Sequence, residues 1–284
     1  MAPDCPPCPT PIRIGGRTFA WGARTYVMGI LNVTPDSFSG DGVLDPARAA
    51  EQAARMVEHG ADLLDLGAES TRPGAAVVTA EEEWARLGPV LRVVRAAVDV
   101  PLTVDTAKAE VAVRAFEAGA DALNDVHGLR GDARMVAVLA ASALPAVLMH
   151  NQRGRPSTGD VIADARAGFE ESLRLARDAG VDEHQLILDP GFGFGWQPAQ
   201  NLELLRRLAE LRGIGRPLLL GTSRKSTLGL VLDRAEDERL WGTAATVALA
   251  VQSGVDIVRV HDVRAMADVA RMADAVVRGW IPPP

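Results

Sequence analysis

Short, continuous apolar runs alternate along this chain with longer stretches in which apolar residues return at helical spacing. The runs at residues 26–31, 63–66, 102–105, 122–124, 146–149, 186–188, 218–220 and 257–260 predict buried strands. The stretches between and after them predict helices over 46–59, 79–98, 108–118, 133–142, 161–179, 198–212, 236–252 and 263–278. Local signals agree with these boundaries. Asp45-Pro46 supplies an N-cap and a proline at the first helical position. Thr79 with Glu82 three residues on is a capping box. A common phrase marks four junctions: His59-Gly60-Ala61-Asp62, Ala118-Gly119-Ala120-Asp121, Ala179-Gly180-Val181-Asp182 and Ser253-Gly254-Val255-Asp256. Each puts glycine just past a helix, where a left-handed residue stops it.

Eight strand–helix units in about 250 residues predict an α/β protein of (β/α)₈ barrel type. Ahead of them, residues 13–23 (R-I-G-G-R-T-F-A-W-G-A) predict an N-terminal β-hairpin turning at Gly15-Gly16. An open doubly wound sheet would carry G-x-G-x-x-G after its first strand, and that pattern is absent. The expected division is a flexible Pro-rich tail at 1–10 and one barrel domain, the catalytic one, at 11–284.

Composition narrows the partners. Hydrophobic residues make up 48% and charged residues 24%, as in soluble globular proteins. A net charge of -7 argues against nucleic acid as the partner, while leaving room for a local cationic pocket. No apolar run is long enough to span a bilayer, and the N-terminus lacks the basic and apolar regions of a secretory signal. The expectation is a cytoplasmic protein without a membrane partner. Cys5 and Cys8, in C-P-P-C, are the only cysteines; with no second pair and no nearby histidine they read as part of the tail rather than a zinc site. Lys108 and Lys225 are the only lysines in an arginine-rich chain, which marks both as positions where a compact ammonium matters.

Barrels of this kind collect function where strands end and βα loops begin. Those positions deliver Asn32, Glu69, Thr71, Arg72, Asp105, Asn124, Asp125, His150, Asn151, Asp189, Ser223, Arg224, Lys225, Ser226, Arg259 and His261. Asp105, Asn124 and Asp189 form an acceptor set suited to a heterocycle with an amidine-like N–H edge. Asp125 reads instead as a capping residue. Arg224, Lys225, Arg259 and His261 form a cationic set at the usual phosphate position of such barrels. Asn32 and the loop around Asp36 suit Mg²⁺, which binds phosphates through few protein oxygens. Gly191-Phe192-Gly193-Phe194-Gly195 is not a dinucleotide fingerprint, because Trp196 stands where the third glycine belongs. Thr222-Ser223-Arg224-Lys225-Ser226 ends like a phosphate-binding P-loop but has Arg224 in place of its glycine.

Taken in order, I-L-N-V-T-P-D-S-F-S, G-A-E-S-T-R-P-G, T-V-D-T-A-K, L-N-D-V-H-G, L-M-H-N, L-D-P-G-F-G-F-G, T-S-R-K-S and R-V-H-D-V resemble the dihydropteroate synthase family. The resemblance runs from about Arg13 to Gly279. It implies a TIM barrel and a transferase of folate biosynthesis that joins 6-hydroxymethyl-7,8-dihydropterin diphosphate to 4-aminobenzoate. It implies that Asp105, Asn124, Asp189 and Lys225 hold the pterin, and that Asn32, Arg72, Arg259 and His261 bind the diphosphate, with Asn32 also on Mg²⁺. Phe38, Thr71, Pro73, Phe194 and Ser226 resemble the surroundings of 4-aminobenzoate. Asp36, Ser37 and Phe38 fall in one substrate loop and Arg72 in a second. The family also suggests a homodimer through outer helices, and inhibition by sulfonamides. The chemistry expected is an SN1-like substitution at the pterin methylene, in which Asp36, Asp105, Lys225, Arg259 and His261 are the catalytic residues. A methyltetrahydrofolate-dependent methyltransferase would share the barrel and the acceptor set but would need neither the diphosphate clamp nor the Asp36–Phe38 loop. A pterin-binding protein without turnover is the other rival.

Overall fold

The computed structural model describes residues 8–34, 45–70 and 77–280. Two short strands, β1 (Ile12–Ile14) and β2 (Arg17–Phe19), pair antiparallel as the expected hairpin. The barrel strands follow: β3 (Tyr26–Asn32), β4 (Leu63–Gly67), β5 (Leu102–Asp105), β6 (Ala122–Asp125), β7 (Ala146–Met149), β8 (Leu186–Asp189), β9 (Leu219–Leu220) and β10 (Ile257–Val260). They lie in the order β8-β7-β6-β5-β4-β3-β10-β9, all parallel, and a bridge between Leu188 and Leu218 closes the ring. The helices are α1 (Pro46–Glu58), α2 (Ala80–Ala97), α3 (Ala109–Glu117), α4 (Met135–Ser142), α5 (Val161–Asp178), α6 (Pro198–Arg206), α7 (Ser226–Leu232), α8 (Leu240–Gln252) and α9 (Val263–Arg278).

The local signals act as expected. Asp45 accepts from the Ala47 N–H at 2.9 Å, and Thr79 and Glu82 make both bonds of the capping box. Gly60, Gly119, Gly180 and Gly254 all sit in the left-handed region at helix ends. Asp125 accepts from the His127 and Leu129 N–H groups, so it caps its own turn.

Two helices differ from the pattern. The stretch expected as one helix over 198–212 is α6 followed by a 3₁₀ segment, Leu208–Ile214. Three residues per turn brings Leu208 and Leu211 onto one side, and both are buried. The helix expected from 236 begins at Leu240 after a 3₁₀ turn, and α7 occupies a stretch to which the sequence pattern assigned no element.

Strand alternation divides the core in two. Outward residues such as Leu64, Leu66, Val104, Leu123, Leu148, Leu188, Leu220 and Val258 pack against the buried faces of the helices. Inward residues at the strand starts (Tyr26, Met28, Leu63, Ala122, Val147, Ile187, Leu219 and Ile257) form a separate cluster with Ile12, Ile14, Phe19 and Trp21 of the hairpin region. The hairpin therefore plugs the N-terminal end of the barrel. The Phe19 and Tyr26 rings lie 4.7 Å apart, and Trp21 meets Tyr26 edge-on at 5.6 Å.

Candidate active site

Two residues further along four of the strands, the interior changes character. Leu63, Ala122, Ile187 and Ile257 give way to Asp65, Asn124, Asp189 and Arg259 on the same inward face. Asp65 is completely buried. It accepts from Arg259 Nε at 2.6 Å, from Asn124 Nδ2 at 2.9 Å and from the Thr103 hydroxyl. Arg259 Nη2 donates to Asp105 at 2.9 Å, so one guanidinium ties two strands' carboxylates together. Asp65 is a central member of the site that the sequence reading missed. The signal was its place in L-L-D-L-G, where a lone carboxylate interrupts a leucine run on the inward phase of the strand.

Above this layer lies a cavity of about 390 Å³, lined among others by Asn32, Asp105, Phe194, Lys225, Ser226 and Arg259. His261 and Glu69 also line it. Asn32 is the last residue of β3 and Ser226 the first of α7. Asp36, Phe38, Thr71, Arg72 and Pro73 lie outside the described residues. Asn124 and Asp189, both buried, sit at the ends of β6 and β8.

The glycine-rich loop after β8 brings Phe194 and Lys225 together. Gly193 has φ +84°, and a side chain there would meet Lys225 Cδ at 3.1 Å. The Gly193 N–H donates to Asn201 Oδ1 at 2.7 Å, and Asn201 Nδ2 donates to Thr227 Oγ1 at 2.9 Å, which couples the loop to α6 and α7. Trp196 Nε1 donates to the Pro190 carbonyl at 3.1 Å. Lys225 Nζ then lies 4.2 Å from the Phe194 ring centroid, with the Arg153 guanidinium 4.9 Å from the same ring. Arg153 also lines the cavity and was not among the sequence candidates.

Burial lowers Lys225 to about 8, helped by the nearby Arg259 charge and opposed by Asp189 and Asp105. Burial raises Asp189 to about 6, opposed by the Gly191 N–H bond and by Lys225. Asp105 is also raised by burial, against the pull of Arg259.

The remaining cations differ in their commitments. The Ser223 hydroxyl accepts from the His261 backbone N–H at 3.2 Å and lies 3.0 Å from Nδ1 of the ring. Arg224, at φ +57°, pairs with Asp262 at 2.7 Å. Lys108 lies in an adjoining cavity between Glu69 at 2.6 Å and Glu83 at 2.7 Å. Of the two lysines, Lys225 faces the main cavity and Lys108 bridges carboxylates beside it. His150 is a core residue: it is fully buried, bonded through Nε2 to Gln152 at 2.8 Å, and lowered by burial to about 4.

A parallel barrel whose strand ends present acceptors beneath a cationic rim belongs to a recognisable class. The family model described as pterin binding enzyme matches residues 28–261. A dihydropteroate synthase of Synechocystis sp. is 47% identical over 279 residues, covering 95% of this chain and 96% of its own. The crystal structure of a dihydropteroate synthase from Clostridium difficile, obtained in the presence of pteroic acid, matches with a TM-score of 0.87 at 47% identity, covering 91% of this chain and 98% of that one. A dihydropteroate synthase of Xanthomonas albilineans with 4-aminobenzoic acid matches with a TM-score of 0.88 at 41% identity, over 96% and 99%. The chain belongs to the pterin-binding enzyme family, and within it to the dihydropteroate synthases.

Proposed function

We propose that this chain condenses 6-hydroxymethyl-7,8-dihydropterin diphosphate with 4-aminobenzoate, giving 7,8-dihydropteroate and diphosphate. The observation that carries the reading is one cavity lined by Asp105, Lys225 and Arg259, with Phe194 beside Lys225, Asn124 joined to Arg259 through Asp65, and the Asp189 charge acting on Lys225. On this reading Asp105, Asn124 and Asp189 accept from the N–H edge of the pterin, and Lys225 donates to its other side. Asn32, Arg259 and His261, with Arg72, bind the diphosphate. Phe194 and Ser226, with Phe38, Thr71 and Pro73, surround 4-aminobenzoate.

The chemistry follows from what these groups stabilise. The bond from the pterin methylene to the diphosphate oxygen breaks first, and its electron pair leaves with the diphosphate. Arg259, His261 and Lys225 stabilise the departing anion. Asp105, with Asp36, offsets the positive charge left on the pterin. The arylamine lone pair then forms the C–N bond, and the nitrogen loses a proton to solvent. An arylamine is unprotonated at neutral pH, so no strong base is needed.

The residues present fit Mg²⁺ as an ion held together with the substrate. Among the described residues no cluster of three His, Cys, Asp or Glu side chains can hold a metal alone, whereas Asn32 offers an amide oxygen on the cavity wall. Asn32 would hold the ion there, and the ion would supply positive charge against the leaving group.

Pairing of two copies is proposed through α8 and α9. Val247, Ala250 and Val251 of α8 are buried, while Ala245, Ala248 and Leu249 face an outer groove with Met272, Val276 and Val277. Met272 is 66% exposed and Val276 73%, and they lie together along this groove as an apolar patch open to a partner. Sedimentation of the wild type and Val276→Asp decides this: a dimer that the variant dissociates is expected, and a wild-type monomer overturns it.

The activity is tested by mixing purified protein, Mg²⁺, the pterin diphosphate and 4-aminobenzoate and following diphosphate release. Release that requires both substrates is expected. Tight pterin binding with no release would make the chain a binder rather than an enzyme.

A further inference from the structure

Asp65 has no part in the roles proposed above, yet it organises the layer that carries them. It is 0% exposed. Its Oδ1 takes the Thr103 hydroxyl, and its Oδ2 takes both Asn124 Nδ2 at 2.9 Å and Arg259 Nε at 2.6 Å. Ion-paired with Arg259, the carboxylate offers acceptors only, so the Asn124 amide must turn its nitrogen inward. The Asn124 oxygen is then the group left to meet a ligand. The same carboxylate pins Arg259 by Nε while Asp105 takes Nη2. The strand pattern explains how these groups meet: Asp65 stands beside Thr103 in the register of β4 and β5, and Thr103 beside Ala122 of β6.

We propose that Asp65 is a positioning residue that sets ring specificity by holding the Asn124 amide oxygen-outward. The site then takes a heterocycle that presents N–H donors at this edge and rejects one that presents a carbonyl there. The inference rests on reading Asn124 as a pterin contact. In Asp65→Asn the partner becomes an amide with both donor and acceptor, and Asn124 is released to turn either way. A turned amide presents its NH₂ group, which suits a ring carbonyl.

The test compares two ligands by calorimetry on the full chain: 6-hydroxymethylpterin, with its 2-amino group, and the corresponding 2,4-dioxopteridine. Wild type prefers the 2-amino ring, and Asp65→Asn narrows that preference about tenfold, the size expected when one buried polar group loses its defined partner. Thr103→Val, which removes only the hydroxyl steadying Asp65, narrows it less and in the same direction. Equal weakening of both ligands by Asp65→Asn, with the preference intact, would overturn the proposal and leave Asp65 a structural residue. Should Asp65→Asn fail to fold, an unchanged preference in Thr103→Val overturns it instead. Asn124→Ala separates the two levels. Undiminished pterin binding there refutes the Asn124 contact itself; a loss there beside an unchanged preference in Asp65→Asn refutes only the role of Asp65.

Discussion

Inside the barrel, residues two positions apart on the same strand meet opposite chemistry. Leu63, Ala122, Ile187 and Ile257 are sealed from water by Ile14 and Phe19 of the hairpin. Asp65, Asn124 and Asp189, one step up, are also buried and Arg259 largely so, but they are polar: Asp65 takes Asn124 and Arg259 as partners, and Asp189 takes the Gly191 N–H. The lower layer contributes stability through apolar area removed from water, at about 25 cal/mol per Å². The upper layer contributes little net stability, because desolvating ions offsets their attraction. A barrel that needed only to fold would extend the apolar layer upward. The polar layer is what the ligand site requires, and the hairpin plug lets the chain bear it.

The sharpest way to break this comparison is to move a charge down one layer. Ile187→Asp places a carboxylate in the apolar cluster that includes Ile14 and Phe19, and should cost about 3–5 kcal/mol. The denaturant midpoint measures it, and a midpoint near wild type would show that the lower layer is wetter than its packing implies. Asp189→Asn, two residues on, should leave that midpoint nearly unchanged. It should weaken pterin binding by about 1–3 kcal/mol, read by calorimetry. Unchanged affinity would remove Asp189 from the acceptor set.

A smaller effect comes from pH. The folded protein holds Lys225 at about 8 and an unshifted lysine lies at 10.5. Between those values the unfolded chain binds the extra proton, so this group favours folding more as pH rises. Over the same window the cavity loses its ammonium. Binding of the pterin diphosphate should therefore weaken above about pH 8 without a matching fall in stability from this group, and Lys225→Gln should flatten that dependence. Parallel decline of binding and stability in both proteins would point to another titrating group. The least effect on the fold is expected from removing Mg²⁺: EDTA should abolish turnover and leave the thermal midpoint where it was, since among the described residues no cluster of His, Cys, Asp or Glu makes a structural metal site. A large drop in midpoint would mean that the ion is structural.

Much of this site was legible along the chain. Asp105, Asn124 and Asp189 stand at strand ends that the apolar runs locate, and the four glycine stops precede β4, β6, β8 and β10. Asp65 was not legible in the same way. A run of leucines hides its phase, and its partner Arg259 is 194 residues away. Arg153 lies in the loop between β7 and α5, where no period applies, and it reaches Phe194 only because the glycine-rich loop folds back on it. Arg224 looked interchangeable with the other cations; only the packing of α9 against the loop after β9 commits it to Asp262.

The sequence by itself determined the alternation of strands and helices, the closure into a barrel of eight, the hairpin, and which residue types arrive at the mouth. These follow from periodicity and capping, which act over a few residues. Tertiary structure alone decided which arriving groups pair, which face the cavity, and which way the Asn124 amide points. Those outcomes turn on contacts between strands far apart in the chain, in a space where every donor needs a partner and burial raises the cost of leaving one without.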